Sequence, residues 1–134
     1  VFVAFWTANE DLVLSLAGRR YNEDYAYKGI DVTCDDDLHR KRSEAGSRYA
    51  ACSLRGNGRI EVRLFRTTRV WTKFAGRVQL VDAVARWAAN CKEATHAYVT
   101  NISGKGGLLE YMTDHSSKYE HAIALVKRWM GEEV

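Results

Sequence analysis

The sequence predicts an α+β domain in which an antiparallel β-sheet, organised on a central hairpin, packs against helices. Three observations predict it. Two β-prone runs, Ser47 to Leu54 and Arg59 to Phe65, flank Arg55-Gly56-Asn57-Gly58, whose Asn-Gly pair supplies the positive φ angles of a tight turn. Alternation along the second run sends Ile60, Val62 and Leu64 to a core face and Arg59, Glu61, Arg63 and Phe65 to a charged face. From Phe74 to Cys91 the apolar positions Phe74, Val78, Val81, Ala85 and Ala88 recur at three- and four-residue steps, the mark of an amphipathic helix lying on that sheet.

The remaining elements follow in chain order. Residues 1 to 6 are apolar and β-prone and are read as a strand end. Asn9 offers an N-cap to a helix through Arg20, with Glu10 and Asp11 well placed against its dipole and Leu12, Val13 and Leu16 as its buried stripe. Tyr21 to Lys28 is aromatic and polar. Asp31 to Arg42 then shifts from acidic (Asp35, Asp36, Asp37) to basic (Arg40, Lys41, Arg42), as a surface loop does. Trp87 is placed at the margin of the long helix. Ser103-Gly104-Lys105-Gly106-Gly107 is a flexible turn, Leu108 to Met112 a short helix, and Ser117 to Met130 a helix with Tyr119, Ile123, Val126 and Met130 along one side.

Length and composition set the bounds. A chain of 134 residues supports one hydrophobic core, so residues 1–134 are read as a single domain. The hydrophobic share of 46% and charged share of 28% are those of a globular protein. No apolar run approaches the roughly 20 residues that span a bilayer, and Val1-Phe2-Val3-Ala4-Phe5-Trp6 lacks the basic flank and cleavage site of a signal peptide, so no membrane partner is expected. The absence of an initial Met is what a piece cut from a longer reading frame would show. Cys34, Cys52 and Cys91 are odd in number and lack Cys-x-x-Cys spacing, which fits reduced thiols in the cytoplasm better than a disulfide framework or a zinc site. The net charge of +3 is uneven: between Arg55 and Arg77 seven Arg or Lys residues face the single Glu61. Such a segment attracts an anion.

The strand Arg59-Ile60-Glu61-Val62-Arg63 is where that charge becomes chemically specific. Glu61 offers hard oxygen to Mg²⁺, and arginines at two-residue spacing can grip phosphate oxygens bidentately. Both functions are needed where charge develops on a transferring phosphoryl group. By spacing alone, the same pattern also describes a solvated sheet face with cross-strand ion pairs.

A wider pattern extends over residues 47 to 90. Arg48-Tyr49-Ala50-Ala51, then Gly58-Arg59-Ile60-Glu61-Val62-Arg63-Leu64-Phe65-Arg66-Thr67-Thr68, then Val81-Asp82-Ala83-Val84, resembles the C-terminal block of the amidoligase family. Leu12 to Tyr25, with Gly18-Arg19-Arg20, resembles that family's upstream arginine segment. The family belongs to the carboxylate-amine ligase superfamily with glutamine synthetase and glutamate-cysteine ligase. The resemblance implies the C-terminal part of a glutamine synthetase-like catalytic domain and an ATP- and Mg²⁺-dependent reaction joining a small-molecule or peptide carboxylate to an amine. It implies Glu61 as the metal-binding carboxylate and Arg63 as a catalytic arginine on the nucleotide phosphate or substrate carboxylate. Arg59, Arg66, Thr68, Arg19 and Arg20 are implied as phosphate- or substrate-binding residues. The sequence departs from the family at Thr67, where a Gly precedes the Thr. It also lacks the superfamily's Gly-x-Glu-x-Glu and His-x-His patterns, so the chain is expected to be catalytically incomplete by itself.

Other groups invite blander readings. His39, His96, His115 and His121 are dispersed, as surface or capping residues are. Ser116 and Ser117 follow Asp114-His115 without a Gly-x-Ser-x-Gly elbow and suit a helix N-cap. The glycine-rich turn lacks phosphate-loop spacing. Arg19 and Arg20 would complement a helix C-terminus in any case. The alternative function is that of a basic nucleic-acid-binding domain of the phage or plasmid replication or packaging type. In it Arg40-Lys41-Arg42 and the run from Arg55 to Arg77, interleaved with Phe65, Trp71 and Phe74, track a phosphate backbone.

Overall fold

The computed structural model of the chain describes residues 1–17, 34, 52–54, 60–62, 65 and 68–132. Among these residues six helices carry the fold: α1 (Phe2–Ala8), α2 (Glu10–Ala17), α3 (Trp71–Ala89), α4 (His96–Val99), α5 (Leu108–Asp114) and α6 (Ser116–Trp129). The strands among the described residues are β1 (Cys52–Leu54) and β2 (Ile60–Val62), three residues each, which pair antiparallel with Cys52 opposite Val62 and Leu54 opposite Ile60. The expected α+β architecture is therefore corrected to a helical one. The physical reason lies in the core, whose fully buried members among the described residues, from Phe5 to Val126, come from helices. A pair of three-residue strands cannot supply a comparable apolar face.

The first turn of the chain also differs from expectation. Val1 to Trp6 is not a strand end but α1, because Phe5 and Trp6 turn inward together, a spacing a strand would split between two faces. Short apolar runs do not distinguish the two conformations by composition. Edge-to-face contacts of Phe5 with Trp6 and Trp87, at centroid separations of 5.1 and 6.2 Å, seat α1 against α3. Asn9 stands at the predicted junction, yet its side-chain Nδ2 donates to the carbonyls of Phe5 (3.1 Å) and Val99 (3.0 Å), tying the end of α1 to α4. In α2 the predicted stripe of Leu12, Val13 and Leu16 is buried.

Helix α3 begins three residues before the predicted Phe74 and has two apolar faces. The buried one comprises Ala75, Leu80, Ala83, Val84 and Trp87, whereas Phe74 and Val78 on the predicted stripe remain 51% and 55% exposed. Trp87, expected at the margin, is in the core, stacked on Tyr98 at 4.5 Å with its Nε1 donating to the Gly106 carbonyl. Thr95 Oγ1 accepts from Tyr98 N and starts α4. The glycine-rich turn is held by Asn101, whose Oδ1 accepts from Gly104 N and whose Nδ2 donates to the Lys105 carbonyl. A Cβ at Gly107 would fall 2.7 Å from the Asn101 carbonyl oxygen, so the close return of this turn requires glycine.

Helix α6 starts at Ser116 with His115 at its N-cap, displacing the expected serine cap by one or two residues. Its backbone breaks regular geometry at Tyr119 (φ −120°, ψ 23°). The amides just beyond the break point across to α3, where Gln79 Oε1 accepts from His121 N (3.0 Å) and Ala122 N (3.1 Å). Gln79 thus acts as an N-cap delivered from a neighbouring helix. The helices meet closely at Gly76, where a Cβ would crowd Leu125 and lie 3.0 Å from the His121 carbonyl oxygen.

Removing that acceptor isolates its effect. Gln79→Leu, of similar volume, leaves the two amides without their acceptor and should lower stability by about 1–3 kcal/mol in urea unfolding. Gln79→Glu keeps an acceptor at a helix start and should stay within about 1 kcal/mol of the parent. Equal losses in both variants would refute the capping role.

Candidate functional site

Strand β2 lies along the second apolar face of α3, and the two enclose a cleft of about 820 Å³. Ile60, Val62 and Phe65 form one wall and Phe74, Val78 and Val81 the other, with Thr68, Arg77 and Asp82 as its polar groups. The stripe predicted to pack on a sheet instead faces β2 across an open cleft.

Of the predicted site residues, Glu61 occupies the centre of β2, opposite Ser53. Thr68 is half-buried in the cleft wall, and its Oγ1 accepts from Val70 N (3.2 Å), shaping the backbone where α3 begins. The structure thus brings Thr68 and the strand bearing Glu61 to the same cleft. Arg19, Arg20, Arg59, Arg63 and Arg66 lie outside the described residues, as do His39 and the Arg40-Lys41-Arg42 run. His115, in the Asp114-to-Ser117 segment, has Nδ1 2.9 Å from the Tyr111 carbonyl. That local contact fits the structural reading of the segment. Among the described residues no three His, Cys, Asp or Glu side chains gather as a metal cage.

Two polar groups of the cleft are anchored. Arg77 Nε donates to the Leu16 carbonyl (2.9 Å) at the end of α2, and its guanidinium carbon stands 5.9 Å from the centre of the Phe65 ring. Asp82 Oδ2 accepts from the buried Tyr119 hydroxyl at 2.7 Å and faces Arg86 Nε at 3.1 Å and Lys118 Nζ at 3.3 Å. Burial pushes the Asp82 carboxyl up, but the Tyr119 and Lys118 hydrogen bonds and the two cations outweigh it, leaving the group below its ordinary value. The Tyr119 hydroxyl is pushed well up, first by burial and then by its bond to that carboxylate. With Asp82 39% exposed, the ion pairs are screened and each contributes little. The hydrogen bond from buried Tyr119 is the valuable member. Sequence reasoning missed this cluster. The i,i+4 spacing of Asp82 and Arg86 was visible, but Tyr119 lies 37 positions away and its hydroxyl is positioned only by the break in α6.

The paired shifts give a pH signature. A lowered carboxyl contributes stability above its unfolded value near 3.8, lost as pH falls through the folded value. A raised phenol contributes stability below 10.0, lost as pH rises towards its folded value. Tyr119→Phe should cost about 1.5–3 kcal/mol at neutral pH and flatten both limbs of the stability profile. An unchanged profile would show that the bond carries no folding energy.

Compared with protein-family models, curated proteins and solved structures, the chain matches none.

Proposed function

We infer that this chain contributes to ATP-dependent carboxylate–amine ligation of the amidoligase type, with β2 as the strand that meets the phosphates. The observation that carries the reading is the register that sets Glu61 at the centre of strand β2, opposite Ser53, with Thr68 following in the backbone that leads into α3. The order Arg59-Ile60-Glu61-Val62-Arg63, Thr68 and then α3 supports it as the pattern by which the chain resembles that family. The helical architecture of the described residues is independent of this chemistry, which is a property of the site and not of the fold class.

The reaction has two steps. A substrate carboxylate oxygen bonds to the γ-phosphorus of ATP as the bond to the β-phosphate oxygen breaks, giving an acyl phosphate and ADP. The amine nitrogen then bonds to the acyl carbon, inorganic phosphate departs with the bonding pair, and the nitrogen loses a proton. Arg63, with Arg59 and Arg66 in support, would hold phosphate oxygens through paired N–H donors and stabilise the charge that builds on them. Glu61 would hold Mg²⁺, which supplies charge neutralisation when bound. Arg19, Arg20 and Thr68 would orient phosphate or substrate carboxylate. A cytoplasmic location, where ATP is available and thiols stay reduced, belongs to the same proposal. Among the described residues no helix is long and apolar enough to cross a membrane.

The test uses the open reading frame that contains this chain, with ADP release measured against mixtures of carboxylates and amines. Release should require both substrates, disappear in Glu61→Gln and fall about 10²–10³-fold in Arg63→Ala. Release that ignores the substrates, or survives Glu61→Gln, would refute the ligase reading.

A further inference from the structure

A second concave site lies on the other side of Arg77. Helices α2, α3 and α6 enclose a notch of about 310 Å³ lined by Ser15, Lys73, Arg77, Arg128 and Trp129, with Leu16 and Leu125 as its floor. Among the described residues that line it, three side chains are cationic and none is acidic. The positive character extends into the chain, which carries no acidic residue from Val62 to Val81. Arg77 is held in place through its Nε bond to the Leu16 carbonyl, so the cationic lining is partly preorganised.

Beside the cations stand aromatic rings open to solvent. Trp129 in the notch is 41% exposed, and on α3 Trp71 and Phe74 are 68% and 51% exposed, with their centroids 5.9 Å apart. Helical spacing orders these residues around α3. Lys73 and Arg77 share one edge, with Phe74 next and then Trp71, so cations and ring faces run side by side. Exposed rings alternating with Lys and Arg match the chemistry of an unpaired nucleic-acid strand, which offers phosphates to the cations and open base faces to the rings. A duplex hides those faces, and an acidic peptide has no use for the rings.

We propose that the α2–α3–α6 notch and the adjoining Trp71–Phe74 ridge form a binding surface for single-stranded nucleic acid, with phosphates at Lys73, Arg77 and Arg128 and a base stacked on Trp129. The proposal stands independently of the ligase reading, since it uses none of the residues of β2.

The probe is a fluorescein-labelled oligothymidylate titrated with the protein and followed by anisotropy. Three phosphate contacts predict a slope of about −2 in log affinity against log salt. That slope corresponds to a loss of roughly 20-fold between about 50 and about 200 mM salt. Lys73→Glu with Arg128→Glu should reduce the slope to about −0.7 or less. Trp129→Ala should weaken binding by about 5- to 150-fold, whereas Trp129→Phe, which keeps a stacking face, should largely restore it. All four substitutions are at exposed positions, so the circular dichroism spectrum should be retained, and Glu61→Gln should bind like the parent. No binding at low salt, an unchanged slope in the double variant, or equal affinity for duplex DNA or polyglutamate would overturn the proposal.

Discussion

Two hydrogen bonds accepted by one glutamine oxygen organise the described part of this molecule. Helix α6 leaves regular geometry at Tyr119, and the amides of His121 and Ala122 just past the break find their acceptor on Gln79 of α3. Leaving these two part-buried amides without their acceptor would cost about 1–3 kcal/mol. The break is therefore tolerable only where α3 passes close by, and Gly76 permits that approach by presenting no side chain to Leu125 and His121. The same departure lets the Tyr119 hydroxyl reach Asp82, which fixes the angle between the helices from a second point. Further along the pair, Arg128 and Trp129 come to lie beside Lys73 and Arg77. The cleft under β2 and the notch at Arg128 both border α3, and the alignment of α3 with α6 shapes the notch.

Helix α3 is apolar on more of its circumference than a helix with one buried face requires. Leu80, Ala83, Val84 and Trp87 enter the core, while Phe74, Val78 and Val81 line the cleft under β2. This double character explains why a single periodic count misleads. The stripe at Phe74, Val78, Val81 and Ala85 is regular and faces β2, but its residues are not those that hold the core together. The Ala75–Leu80–Ala83–Val84–Trp87 face is less conspicuous because small alanines alternate with large residues, and it is this face that α1, α5 and α6 cover.

The legible and illegible parts of the sequence divide along the same physical line. Local signals were legible. Leu12, Val13 and Leu16 mark the buried stripe of α2, the pairing of Leu54 with Ile60 lies within the runs that flank Asn57-Gly58, and the helices at Leu108 and Ser116 begin within a residue of where spacing places them. Decisions made by distant partners were not legible. Val1 to Trp6 becomes a helix because Trp87 and Phe65 receive its aromatic rings, and α+β was read from runs of which the described structure keeps two three-residue strands. For the candidate site, Thr68 and the flanking strand residues Ile60 and Val62 fall at one cleft as their proximity in sequence suggests, whereas the Asp82–Tyr119 bond depends on a backbone break that no periodicity announces. The predicted arginines Arg19, Arg20, Arg59, Arg63 and Arg66 lie outside the described residues, and their roles rest on the family resemblance.

Ligation through an acyl phosphate makes a demand that neither simple nucleotide binding nor ATP hydrolysis makes: the carboxylate must carry the phosphoryl group before the amine arrives. Trapping that species is the most direct examination of the account. The open reading frame containing this chain would be incubated with ATP, Mg²⁺, a carboxylate mixture and hydroxylamine, and hydroxamate would be measured against ADP. The account predicts hydroxamate in step with ADP, both dependent on the carboxylate. ADP without hydroxamate, or neither product, would contradict it.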